Sequence, residues 1–177
     1  PDGKTLATAG MDMVVRLWDV TTGEQILALK GHKGWLVSVV FSPDGTKIAS
    51  GAFDRSAKVW DAKNGRELFT ITGENDAIGE LTFSPDSRTL FGIDGDKIKS
   101  WDASAGFEKP EFVKNLEGTN VFDVSPDGKL IAFSASSPAS RQSQVYLSNA
   151  DGSNAHLMVT ATPSYFHGWS PDGKYLA

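Results

Sequence analysis

Short apolar runs broken by polar turns organise the chain. In residues 31–61, Trp35–Val40 and Phe41 form an apolar stretch, Ser42-Pro43-Asp44-Gly45 a turn, Ile48-Ala49 a second stretch, and Trp60-Asp61 a close. Proline presets the first central dihedral of a β-turn, aspartate bonds its own backbone, and glycine accepts the positive φ that follows. Flanked by β-branched and aromatic residues, this turn predicts a hairpin. The stripe at Trp35–Val40 could also suit a short helix, but its β-branched content and the adjoining turn favour strand. The same reading predicts strands at 5–9, 14–19, 25–30, 36–42, 47–51, 57–61, 68–72, 78–84, 89–93, 98–102, 112–116, 121–125, 130–133, 144–148 and 156–159, with two more at 165–170 and 174–177. The inner strands are apolar on both faces, as in sheets packed between sheets.

The pattern repeats. The turn recurs at Pro1, Pro43, Pro85, Pro126 and Pro171, in steps of 42, 42, 41 and 45 residues. Trp18-Asp19, Trp60-Asp61 and Trp101-Asp102 recur in steps of 42 and 41. Two markers with one period, and several short strands in each, predict an all-β fold of four-stranded antiparallel propeller blades. The blades fall at about 1–30 (incomplete), 31–72, 73–116, 117–160 and 161–177 (incomplete), within a single propeller domain. Ser87 stands where the other turns carry glycine, so a left-handed conformation there is strained.

Gly31-His32, Asp54 and Trp60-Asp61 resemble a WD40 repeat, and Thr8, Asp12 and Trp18-Asp19 fit the copy before it. The resemblance implies a buried network of His32, Ser50, Asp54 and Trp60, with Thr8, Asp12 and Trp18 forming its histidine-free counterpart. The third repeat departs, having Glu74-Asn75 in place of Gly-His and a shorter turn at Asp94-Gly95-Asp96; the network is expected to be absent there. From Ser125 onward, segments such as 125–133, 145–154 and 168–174 resemble the TolB-type propeller repeat.

Composition narrows the function classes. Seventeen basic residues against 22 acidic give a net charge of −5, and no basic cluster supports nucleic-acid or anionic-membrane binding. No apolar segment approaches membrane-spanning length. Zero cysteines remove disulfides and thiolate chemistry without fixing a compartment, for which the cytoplasm is preferred. No cofactor or metal is predicted: the three histidines lack ligand spacing, and Asp94-Gly95-Asp96 reads as a solvated turn without the further ligands of a calcium loop. Gly168-Trp169-Ser170, beside His167, lacks the spacing of a nucleophile elbow and is already explained as a repeat turn. His156 reads as a strand-edge residue, and Arg16, Arg55 and Lys58 as solvated cations.

Binding is the function left. In WD40-like proteins the residue before the turn aspartate projects onto one face of the propeller. Here that residue is Met11 or Phe53, and Trp35 is placed to join them; such a cluster is a candidate partner surface, against the alternative that Trp35 packs in the core. The leading reading is a non-catalytic protein–protein interaction scaffold with a protein or peptide partner. The alternatives are a regulatory or substrate-gating propeller of a larger hydrolase or peptidase, and an engineered or recombined propeller fragment. Residues 171–177 match residues 1–7 at six of seven positions. The preferred closure is therefore a larger ring of seven or eight blades or self-association through open propeller ends, with a closed four-bladed ring as the alternative.

Overall fold

The computed structural model describes residues 1–74, 77–109, 117–136, 143–158 and 168–176, with the backbone alone at 117, 118 and 120. Among these residues every regular element is a strand. The first sheet holds β1 (Thr5–Thr8), β2 (Val14–Asp19) and β3 (Gln25–Lys30) in that order. The second holds β4 (Leu36–Phe41), β5 (Lys47–Ala52), β6 (Ser56–Asp61) and β7 (Glu67–Thr72). The third holds β8 (Ile78–Phe83), β9 (Thr89–Asp94) and β10 (Lys97–Asp102); the strand predicted at 112–116 lies outside the described residues. The fourth holds β11 (Glu117–Val124), β12 (Leu130–Ser136), β13 (Ser143–Asn149) and β14 (His156–Leu157). All described pairings are antiparallel between sequence neighbours, the meander that short turns permit.

The two-residue period of a strand explains the stacking of these sheets. Ile48 points into one cluster with Val15, Leu17, Leu29 and Trp60, joining the first sheet to the second. Its neighbour Ala49 points the other way, with Val59, Ile71, Leu90 and Trp101, joining the second to the third. Phe91, Ile93 and Ile98 meet Phe122, Ile131 and Phe133 between the third and fourth. Ala132 and Val145 then meet Trp169 and Leu176, which pair across the last hairpin. Trp60 and Trp101 are each only 2 % exposed, so each anchors one sheet to the next; removing such a side chain costs about 3–5 kcal/mol.

Backbone contact sets the spacing in one place. A β-carbon added to Gly51 would lie 2.0 Å from the carbonyl oxygen of Ile78, so only glycine lets the second and third sheets approach so closely there.

The closed four-bladed ring does not form. Of the strand that would complete it, at residues 165–170, the first three residues lie outside the described ones and Trp169 packs on the fourth sheet; among the described residues nothing pairs with the outer edge of β1. Trp169 and Leu176 find their apolar surface on Ala132, Val145 and Leu147, so the stack continues outward instead of bending back.

Candidate functional site

The turn between β5 and β6 aims Asp54 at the loop that precedes β4. Asp54 Oδ2 accepts from the Lys33 amide at 2.7 Å and faces His32 Nδ1 at 3.0 Å. Its Oδ1 accepts from the Ser56 hydroxyl at 2.6 Å and the Ser56 amide at 3.0 Å. The carboxylate fixes the histidine tautomer: Nδ1 carries the proton, so Nε2 is free to accept from the Ser50 hydroxyl at 2.9 Å. Ser50 Oγ in turn accepts the Trp60 indole N–H at 2.8 Å. His32, Ser50, Asp54 and Trp60 therefore form one directional chain of hydrogen bonds.

Burial alone would raise the Asp54 pKa, but the donors from Ser56, Lys33 and His32 outweigh it and hold the carboxyl at about 2 instead of the ordinary 3.8. Serine, histidine and aspartate stand here in the order of a hydrolytic triad. Ser50 is fully buried, however, and its oxygen already accepts from Trp60. A nucleophile needs an approach for substrate and an oxyanion site beside it; this arrangement ties a loop and a turn to a strand.

The first sheet carries part of the pattern. Trp18 Nε1 donates to Thr8 Oγ1 at 2.8 Å. Asp12 joins neither of them and pairs with Arg16 at 2.5 Å, so Arg16 is an ion-pair partner and not a free solvated cation. Lys58 also departs from the sequence reading. It is 9 % exposed, and its ammonium bonds Glu67 Oε2 at 2.9 Å and Thr70 Oγ1 at 2.8 Å.

In the third sheet a different network takes over. Asp94 is 1 % exposed, which corrects the solvated-turn reading. Moving the aspartate from the turn to the end of β9 puts its side chain inside the sheet. Its Oδ2 accepts from the Glu74 amide at 3.0 Å and pairs with Lys99 Nζ at 3.1 Å. Lys99 also reaches Glu74 at 3.1 Å and Glu108 at 3.6 Å. Burial would lower the Lys99 pKa, but Glu74, Asp94 and Glu108 together raise it. The sequence holds a signal for this pairing in its charged positions. Arg16, Lys58 and Lys99 share one phase of the repeat, as do Glu67 and Glu108.

Met11, Phe53 and Trp35 come together at one end of the first two sheets. The Leu36 amide bonds the Gly10 carbonyl at 3.2 Å and the Phe53 amide bonds the Trp35 carbonyl at 2.9 Å, which ties the three loops to one another. The Trp35 and Phe53 rings meet edge to face, with centroids 6.5 Å apart. All three side chains remain exposed, at 72 % for Met11, 56 % for Phe53 and 52 % for Trp35; Trp35 is therefore not a core residue. Lys33 and Arg55 flank the cluster, both exposed and with no ion pair among the described residues. In the turns beneath, Met13 and Arg55 hold the left-handed conformation, at φ 64° and 63°, and Arg55 closes the three-residue loop between β5 and β6.

Elsewhere, among the described residues, no group of three or more histidine or acidic side chains has metal-binding geometry. His156 is exposed at a strand edge, with Nδ1 2.8 Å from the Asn154 carbonyl; His167 lies outside the described residues. A cleft between the third and fourth sheets is walled by Pro85, Asp86, Phe91, Lys109 and Asp127, but the Lys109 ammonium is taken up by Thr89 at 2.7 Å.

Comparison with known proteins agrees with this geometry over the first part of the chain. Residues 1–19 and 23–61 match the family described as WD domain, G-beta repeat. An uncharacterized protein of Agrobacterium fabrum is 42 % identical over 73 residues, covering 40 % of this chain and 25 % of that protein. An uncharacterized WD repeat-containing protein of Nostoc sp. is 45 % identical over 38 residues, covering 22 % of this chain and 2 % of that protein. The chain thus spans a quarter or less of the length of these relatives. Residues 1–19 and 23–61, which carry the networks just described, are thus similar in sequence to WD40 repeats.

Proposed function

We propose that the protein is a non-catalytic interaction scaffold whose stacked sheets hold Met11, Trp35 and Phe53 as a docking surface for a protein or peptide partner. The observation that carries this reading is the exposure of three large apolar side chains, with the Trp35 and Phe53 rings in contact and Met11 on the adjoining loop, held by backbone hydrogen bonds. Rigid aromatic and methionine side chains bury much area on binding at little cost in conformational entropy. Lys33 and Arg55 give the surface a polar, cationic rim. WD40 repeats generally serve protein–protein interaction, which supports the same reading. The repeats from 117 onward keep a TolB-like reading on their sequence alone.

The test is to pan a displayed peptide library against the chain and measure the selected peptides on the Met11→Ala/Phe53→Ala double variant. Loss of two anchors should weaken binding at least about tenfold, with circular dichroism and melting temperature unchanged. Peptides that bind the folded double variant as tightly as the parent would dismiss the surface.

A further inference from the structure

The repeats supply an internal control for one row of side chains. Across the first two sheets the row runs Ala7–Leu17–Leu27 and Ala49–Val59–Phe69. It is apolar in both, and in the second sheet it faces the third. In the third sheet the row reads Phe91–Ser100–Lys109: Phe91 pairs with Ser100, and the Lys109 amide bonds the Ser100 carbonyl at 2.8 Å. In the fourth, Ala132 again faces Leu147. Large and small residues have changed places in the third sheet, which packing alone explains. Packing does not explain a hydroxyl and an ammonium in a row that is hydrocarbon in the two sheets before it.

The consequence is a cleft between the third and fourth sheets. Between the second and third, the Phe69 ring lies against Gly106, where an added β-carbon would come within 2.6 Å of it. Lys109 stands opposite Ser100 as Phe69 stands opposite Val59, but its ammonium reaches Thr89 Oγ1 at 2.7 Å. The space beside it measures about 410 Å³, enough for a small ligand. Its inner wall is rich in donors. Ser100 is 5 % exposed and lines the cleft, yet its hydroxyl has no partner among the described residues, a cost that a bound acceptor relieves. An ammonium carries three donors, and Thr89 takes one of those of Lys109. The rim is acidic, with Asp86, Asp127 and Asp151. Asp86 and Asp151 make their printed turn bonds through Oδ1, to Ser84, Arg88 and Ser153, which leaves Oδ2 of each to accept.

A simple anion in this cleft would meet three carboxylates, and a simple cation would meet the lysine. A ligand with both charges matches both walls. We propose that the cleft binds a small zwitterion, an α-amino acid with an apolar side chain: Lys109 and Ser100 take its carboxylate, Asp86 and Asp151 its ammonium, and Phe91 with Pro85 its side chain. The site uses no residue of the docking surface proposed above and goes beyond that role.

Nuclear magnetic resonance titration of the isotope-labelled 177-residue chain with L-leucine and L-phenylalanine, up to about 10 mM, tests it. The expected result is saturable shifts at the amides of Ser100, Lys109 and Ala150, which line or flank the cleft. The N-acetyl derivative lacks the ammonium and the amide derivative lacks the carboxylate; each should bind at least about tenfold more weakly. Ser100→Val, which installs the residue that the second sheet carries in this row, and Lys109→Met should each weaken the parent amino acid at least about tenfold, with the melt of a folded chain retained. No saturable shift with either amino acid, equal binding of either derivative, or unchanged affinity in either folded variant would overturn the proposal.

Discussion

The Ser87 hydroxyl accepts a hydrogen bond from the Asp44 amide at 3.1 Å, across the gap between the turns of two successive repeats. Ser87 occupies the left-handed region at φ 61°, where Gly45, Gly128 and Gly173 hold φ 70°, 72° and 70° in their own turns. A serine there costs about 1–2 kcal/mol of backbone strain, and its bond to Asp44 returns about 1 kcal/mol. Ser87→Gly should therefore leave stability within about 1 kcal/mol of the parent. Ser87→Ala keeps the strain and loses the bond, so it should destabilise by about 1–2 kcal/mol. Denaturant titration of the parent and the two variants checks the order; a Ser87→Ala variant as stable as the parent would deny the bond any energetic role.

Asp54 has the opposite character, a carboxylate held by donors on every side. Asp54→Ala should cost about 1–3 kcal/mol, because it leaves the Lys33 amide and the Ser50–His32 chain without their acceptor. Thermal melts report this directly.

The same residue makes a pH prediction. Its folded pKa is about 2, below the ordinary 3.8. Its contribution is complete above the ordinary value and fades as pH falls toward about 2, amounting to about 2 kcal/mol. An Asp54→Asn variant should lose that acid-side slope. A stability profile between those two values that is identical in parent and variant would remove Asp54 from the account.

Among the described residues Lys99 is the cation paired with the buried Asp94. Lys99→Met should destabilise by about 3–5 kcal/mol, since it strands a buried carboxylate. The double variant Lys99→Met/Asp94→Leu should recover most of that loss. Because the folded Lys99 pKa is raised, its stabilising share is complete below the ordinary 10.5 and is lost as pH climbs through the higher folded value. A double-mutant cycle measured by chemical denaturation decides the coupling.

Gly51→Ala should cost about 1–3 kcal/mol or more, since the added carbon meets the Ile78 carbonyl at 2.0 Å. The comparison Gly3→Ala, at an open turn with nothing within 4 Å but φ 72°, should show the smaller cost of conformation alone.

Much of this molecule is legible in the sequence because its turns are chemically loud. Pro-Asp-Gly and Trp-Asp mark the period, and period-two alternation then assigns Ile48 and Ala49 to opposite faces, where they are found. The exposure of Met11 and Phe53 follows from their place beside the turn aspartates. What stayed hidden was ionic. Lys58 and Lys99 read as solvated or went unremarked because a charge shows no partner in one dimension. Only pairing across β6 and β7 brings Glu67 beside Lys58. Asp94 hid for a subtler reason: a turn one residue shorter moves the acid from the loop into the strand end.

The sheets stack face to face through the closing tryptophans Trp60 and Trp101. Nuclear Overhauser effects from the Trp60 indole ring test this most directly. The expected contacts are with the methyl groups of Val15, Leu17 and Leu29 on the first sheet, the cluster that holds Trp60 2 % exposed. A Trp60 ring that shows contacts only within its own repeat would contradict the stacked arrangement and the docking surface built upon it.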